Sequence, residues 1–173
     1  TQAGREVTVE AALISPSGGN VGTMETKLTL TNGVSNTVRQ RIALAKPELW
    51  NLESPKLYRV VVKVLDGKND LDEVAATLGI RDAHFEPETG FWLNGKNFKL
   101  KGVCVHQDGG AFGAAVPLAI WQDRLETLRT LGVNAIRTAH NPPAPEFLDL
   151  CDRMGFLVMD EFFDCWTVAK NPY

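Results

Sequence analysis

From Phe98 to Glu161 the sequence repeats one grammar: an apolar run ending on charged or imidazole side chains, then an amphipathic stretch ending on glycine. Phe98 to Val105 reads as a strand that closes on His106, Gln107 and Asp108. Pro117 opens a helix whose Leu118, Trp121, Leu125 and Leu128 share a face, and Gly132 ends it. Val133 to Ile136 closes on Arg137, Thr138 and His140. Phe147, Leu150, Cys151 and Met154 then recur at i, i+3, i+4 and i+7, one buried helical face, before Gly155 supplies a left-handed C-terminal cap. Phe156 to Met159 closes on Asp160 and Glu161. The order is β-α-β-α-β, with reactive side chains delivered at the same end of each strand. Parallel sheets and barrels build their sites at that end.

The first ~82 residues follow the period of two instead. Val7 to Ile14, Thr23 to Leu30, Val34 to Leu44, Leu57 to Leu65 and Val74 to Ile80 read as strands, with Val7, Val9, Ala11 and Leu13 alternating with polar neighbours. Turns are expected at Ser15–Asn20, Thr31-Asn-Gly and Asp66-Gly-Lys-Asn. Short strands at this spacing suggest a β-sandwich, with Trp50 and Tyr58 filling its core. Between the halves, Glu86-Pro-Glu-Thr-Gly reads as a turn and Asn94-Gly95 as a hairpin turn. The expected domains are a sandwich over 1–83, a linker and hairpin over 84–97, and an α/β region over 98–173. Five strands fall short of the seven or so of an immunoglobulin-like sandwich, and three fall short of the eight of a closed barrel. With Thr1 reading as an internal start, the expectation is a segment of a larger enzyme.

Composition narrows the function. A net charge of −3 with dispersed Lys and Arg gives no electrostatic case for nucleic acid or an anionic membrane. No apolar run approaches the ~20 residues of a membrane span. Cys104, Cys151 and Cys165 are odd in number and lack a CxxC or Cys/His spacing, so they read as buried apolar thiols rather than metal ligands. Gly109, Gly110 and Gly113 lack the spacing of a phosphate loop and read as a flexible β-α connection.

N-A-I-R-T-A-H-N-P (Asn134 to Pro142), followed by Phe147-Leu148, Asp152 and G-F-L-V-M (Gly155 to Met159), resembles the signature of glycoside hydrolase family 2. That family includes β-galactosidases, β-glucuronidases and β-mannosidases. Lys99 to Asp108 is similar to its first barrel strand, and Trp50 to Tyr58 to the end of its immunoglobulin-like domain. Two positions depart from the pattern: Asn141, where the family commonly has Tyr, and Leu52, where Pro is usual. The resemblance implies a multidomain β then α/β chain, a partial immunoglobulin-like sandwich followed by the first three β/α units of a TIM (β/α)₈ barrel.

The same resemblance implies a retaining glycosidase for terminal β-linked sugars, β-galactosides first, with β-glucuronides or β-mannosides as alternatives. A non-catalytic carbohydrate-binding module is the alternative from another class. Retention needs two carboxyl groups ~5–5.5 Å apart, and the family pattern places both glutamates beyond Tyr173, which leaves the chain by itself inactive. The implied substrate-binding and supporting residues are His106, Arg137, His140, Asn141, Glu161 and Asp164. Arg137 matches an Arg that orients the nucleophilic glutamate, or else forms a salt bridge under the rim. His140 and His106 match sugar-contacting histidines, and Glu161 matches a supporting carboxylate. Asp164 and Trp166 would offer a hydrogen bond and a stacking face, or simply pack their loop. No cofactor is implied in this segment, and Mg²⁺ or Ca²⁺ in the full-length enzyme stays open, as does homo-oligomerisation.

Overall fold

The computed structural model describes residues 4–162. The chain divides into two compact units, one of Thr1–Leu49 with Lys56–Ile80, the other of Trp50–Pro55 with Arg81–Tyr173.

The first unit is an antiparallel sheet of β1 (Arg5–Ile14), β2 (Asn20–Leu30), β3 (Tyr58–Asp66) and β4 (Asn69–Leu78), in the order β2-β1-β3-β4. The alternation in β1 does what the period predicts: Val7, Ala11 and Leu13 are buried. Tyr58 is buried at the start of β3, and its hydroxyl accepts the Glu48 amide at 2.8 Å. Residues 34–44 are not a strand, contrary to the sequence reading. The period-two pattern is present, since Val38, Gln40, Ile42 and Leu44 are the less exposed members. What is missing is a backbone ladder. Ile42 packs on Gly22 of β2, where an added Cβ would stand 2.4 Å from its Cγ2. The Gln40 amide donates to Val9 O at 2.9 Å and Thr26 Oγ1 at 3.0 Å. Side chains, not main-chain pairing, hold this segment. The described sandwich strands therefore number four, not five.

The second unit opens with a small antiparallel sheet, β5 (Ala83–Glu86), β6 (Gly90–Leu93) and β7 (Lys96–Phe98). The expected Asn94-Gly95 turn joins β6 to β7, both residues at positive φ (52° and 73°), as a tight primed hairpin turn requires. Phe98 thus ends this hairpin, and the first parallel strand begins later than predicted, at β8 (Gly102–His106). Next come α1 (Leu118–Thr130), β9 (Ala135–Ala139), α2 (Pro145–Met154) and β10 (Leu157–Met159). The three strands form a parallel sheet ordered β10-β9-β8. Leu125, Ile136, Phe147, Leu150, Cys151 and Phe156 make its core. In α1, Trp121 and Leu128 pack against that core but Leu118 at the first position is exposed. Gly155 caps α2 in the left-handed conformation, φ 72° and ψ 43°.

Trp50 belongs to this second unit and not to the sandwich core, another correction. It is buried, its Nε1 donates to Asp152 O at the end of α2 at 2.8 Å, and the Arg81 guanidinium lies 4.9 Å from its ring. Asn94 Nδ2 donates to Trp50 O at 2.9 Å. An indole needs a partner for its N–H when buried, and a helix C-terminus has carbonyls to spare.

Candidate active site at the strand ends

Strand parity decides which side chains meet. Successive residues of a strand face opposite sides of its sheet. In β8 to β10 one face carries Val105, Ile136 and Val158, which pack with the helical core. The other face carries Cys104 and His106, Arg137 and Ala139, and Met159. The parallel register sets Cys104 beside Arg137, Arg137 beside Met159, and His106 beside Ala139. Glu161, two residues past Met159, continues the same face.

Arg137, His140 and Glu161 converge there. Glu161 divides its carboxylate: Oε1 accepts from Arg137 Nε, and Oε2 lies 2.8 Å from His140 Nδ1. Arg137 Nη1 points at Cys104 Sγ, 3.5 Å away, and Nη2 lies 3.5 Å from His140 Nδ1. The rings of His106 and His140 meet edge to face with centroids 5.5 Å apart. Desolvation works against the Glu161 charge, but the bonds from His140 and Arg137 outweigh it and hold the carboxyl below the usual glutamate range. Contacts with Cys104 and then Glu161 raise Arg137 further.

Thr138, on the opposite parity, anchors the end of β10. Its hydroxyl donates to Asp160 Oδ1 at 3.0 Å and accepts the Glu161 amide at 3.0 Å, so a buried threonine fixes the backbone that carries Glu161. Asn141 sits apart from the ion-pair cluster. With His106, Thr138, Trp121 and Phe147 it lines a cavity of about 390 Å³ between the loops that follow β8 and β9. Gly109–Gly113 form part of the first loop, where Gly110–Phe112 make one 3₁₀ turn. Asp164, Cys165 and Trp166 lie outside the described residues.

Two further features were not legible beforehand. Cys104 is exposed, against the expectation of a buried thiol, because its parity turns it toward Arg137. Cys151 is buried as expected, and burial, with the Asp152 charge, pushes its thiol up to about 12. The role of Thr138 carried no sequence signal beyond its place beside Arg137. Among the described residues no group of three or more His, Cys, Asp or Glu side chains is arranged to hold a metal ion, and no helix is long and apolar enough to cross a membrane.

Residues 87–169 match the family model described as the TIM barrel domain of glycosyl hydrolases family 2, and residues 1–81 match a second model of that family. A β-galactosidase of Bacteroides ovatus is 40% identical over 167 residues, 96% of this chain and 20% of that protein. A β-glucuronidase of Bacteroides fragilis is 35% identical over 89% of this chain and 22% of its own length. Among solved structures, a family 2 member from Bacteroides cellulosilyticus superposes with a TM-score of 0.87 at 37% identity, covering 92% of this chain and 22% of that one. Bacteroides uniformis β-glucuronidase 2, covalently bound to cyclophellitol-6-carboxylate aziridine, gives 0.86 at 29% identity, covering 94% and 20%. The chain therefore spans about a fifth of the length of these relatives.

Proposed function

Since the chain belongs to glycosyl hydrolase family 2, with a sandwich domain followed by the start of a TIM barrel domain, we propose that its full-length protein hydrolyses terminal β-linked sugars with retention, β-galactosides being the substrate class. The carrying observation is the cluster of Arg137, His140 and Glu161 on one face at the carboxyl ends of parallel strands. On this reading β8, β9 and β10 are the first three barrel strands, and the sugar ring rests against His106 and His140. The two reacting carboxylates come from elsewhere in the full-length protein. Arg137 spends Nε on Glu161 and keeps its terminal nitrogens for the nucleophile, which a planar guanidinium can do and an ammonium cannot. The covalent adduct of the Bacteroides uniformis relative supports a route through a glycosyl-enzyme intermediate.

β-Glucuronides are the second reading, favoured by the β-glucuronidases among the relatives. A uronate would call for extra basic groups near the pocket, on loops outside this chain. The galactoside is placed first on the 40% identity to a β-galactosidase over 96% of this chain. Steady-state kinetics of the full-length enzyme on nitrophenyl β-galactoside and β-glucuronide decide between them. A higher kcat/KM on the galactoside is expected, and a preference for the glucuronide overturns the assignment. Sugar binding without turnover of either, or of the β-mannoside, would mark a non-catalytic module.

A further inference from the structure

The contacts of Glu161 dictate what His140 can offer a ligand. Its Nδ1 lies 2.8 Å from a carboxylate oxygen that has no proton to give. A bare ring nitrogen at that distance would set lone pair against lone pair, so Nδ1 must carry the hydrogen. The Arg137 Nη2 contact at 3.5 Å is then donor facing donor, too long to bind and no competitor for the proton. A histidine tautomer is fixed by the partner of the other nitrogen. We infer that Glu161 is a positioning residue, which locks the neutral His140 ring as the Nδ1–H tautomer and turns a bare Nε2 toward the site as a hydrogen-bond acceptor.

Three observations make the lock firm. Glu161 is itself held by Arg137 through its other oxygen, so its orientation is not free. Its backbone amide is tied to Thr138, so the residue cannot slide along the strand end. The same bonds keep it ionised, since its pKa is lowered. The His140 side chain keeps about a third of its surface open (32%), and with Nδ1 engaged the Nε2 edge is the one left for a ligand. An acceptor there selects a group that brings its own hydrogen, a hydroxyl, and disfavours a carboxylate or carbonyl. The selection of a sugar hydroxyl rests on the glycosidase reading; the tautomer itself does not.

The test is ¹⁵N NMR of the full-length protein labelled at histidine, recorded at a pH where the shifts themselves show one protonated and one bare ring nitrogen. The His140 signals are identified by their loss in His140→Gln. The expected result is a protonated Nδ1 and an unprotonated Nε2 in the unmutated protein, the variant serving only to assign the signals. Glu161→Gln should return the ring toward the Nε2–H form that free histidine prefers. It should also lower kcat/KM on the galactoside, by on the order of a hundredfold for a ring displaced by ~1 Å. An Nε2–H ring in the unmutated protein overturns the inference whatever the activity. An Nδ1–H ring in a protein that hydrolyses no glycoside upholds it and sinks the functional reading instead.

Discussion

Gly155 offers a sharp test of how the second unit is held together. It caps α2 at φ 72°, in a region that costs an ordinary residue about 1–2 kcal/mol. An alanine Cβ there would also stand 2.4 Å from Leu52 O, 2.9 Å from its carbonyl carbon and 3.1 Å from its Cα. These are backbone atoms, which cannot swing away as a side-chain tip would. The strap of residues 50–55 would have to retreat by roughly 1 Å to restore ordinary contact. That strap is pinned on both sides, by Trp50 Nε1 on Asp152 O and by Asn94 Nδ2 on Trp50 O. Lengthening two hydrogen bonds worth about 0.5–1.5 kcal/mol each adds to the strain. The stiffer unfolded chain of an alanine variant returns about 0.4–1 kcal/mol. The expected net loss for Gly155→Ala is therefore about 2–4 kcal/mol, by the sum of these effects.

Gly132 provides the control. It too has positive φ, 80°, but nothing lies within 4 Å of its added Cβ. Gly132→Ala should lose only the conformational part, on the order of 1 kcal/mol. Urea unfolding followed by circular dichroism compares the two variants at a common m-value. Equal midpoints would show that the 50–55 strap yields freely, and the packing argument for Trp50 and Gly155 would fall with it.

Arg137→Lys in the full-length enzyme should cut kcat on the order of a hundredfold through ~1 Å of lost alignment, with Tm nearly unchanged. A fall in Tm with kcat per folded molecule preserved would make Arg137 a structural bridge only. Because the folded pKa of Glu161 lies below its unfolded value near ~4.3, its pairing stabilises the fold fully above that pH and is lost as pH drops through the lowered value. The stability gap between wild type and Glu161→Gln should thus be flat at neutral pH and close in acid; a gap that widens in acid would reverse the sign of the argument. In the 173-residue chain a thiol reagent at pH ~8 should label Cys104 well before Cys151, which is buried with its thiol pushed up to about 12. Peptide mass spectrometry reads the order, and faster labelling of Cys151 would contradict the burial.

Local chemistry was readable wherever one residue type has a single physical use. Gly155 at a helix end, Pro117 before a first helical turn, and Asn94-Gly95 between two short apolar runs each announced an element that the structure contains. The failures have a common cause. Residues 34–44 have the alternation of a strand, but a strand needs a partner, and alternation says nothing about whether a ladder exists. Phe98 looked continuous with Val103 and Val105, yet Lys99, Leu100 and Lys101 separate a hairpin from a parallel strand. Trp50 lies nearer in sequence to Tyr58 than to Asp152, but its indole N–H pairs 102 positions away with the carbonyl of Asp152. Burial is visible in a sequence; the partner that accompanies it is not.

The site divides along the same line. The side chains at the strand ends were legible because each strand announces its own last residues. Which of them touch is a matter of register between strands, and register follows from how the helices seat on the opposite face. Ile136 and Val158 are neighbours in the β9–β10 ladder, and both pack in the apolar core. That pairing forces Arg137 and Met159 to share the other face and brings Glu161 within reach of both Arg137 and His140. A slip of one residue would reverse the facing of every side chain on one strand, burying Arg137 and exposing Ile136. The apolar face of the unit thus sets the polar constellation, and the register that buries Ile136 is the one that lets Glu161 bridge a guanidinium and an imidazole.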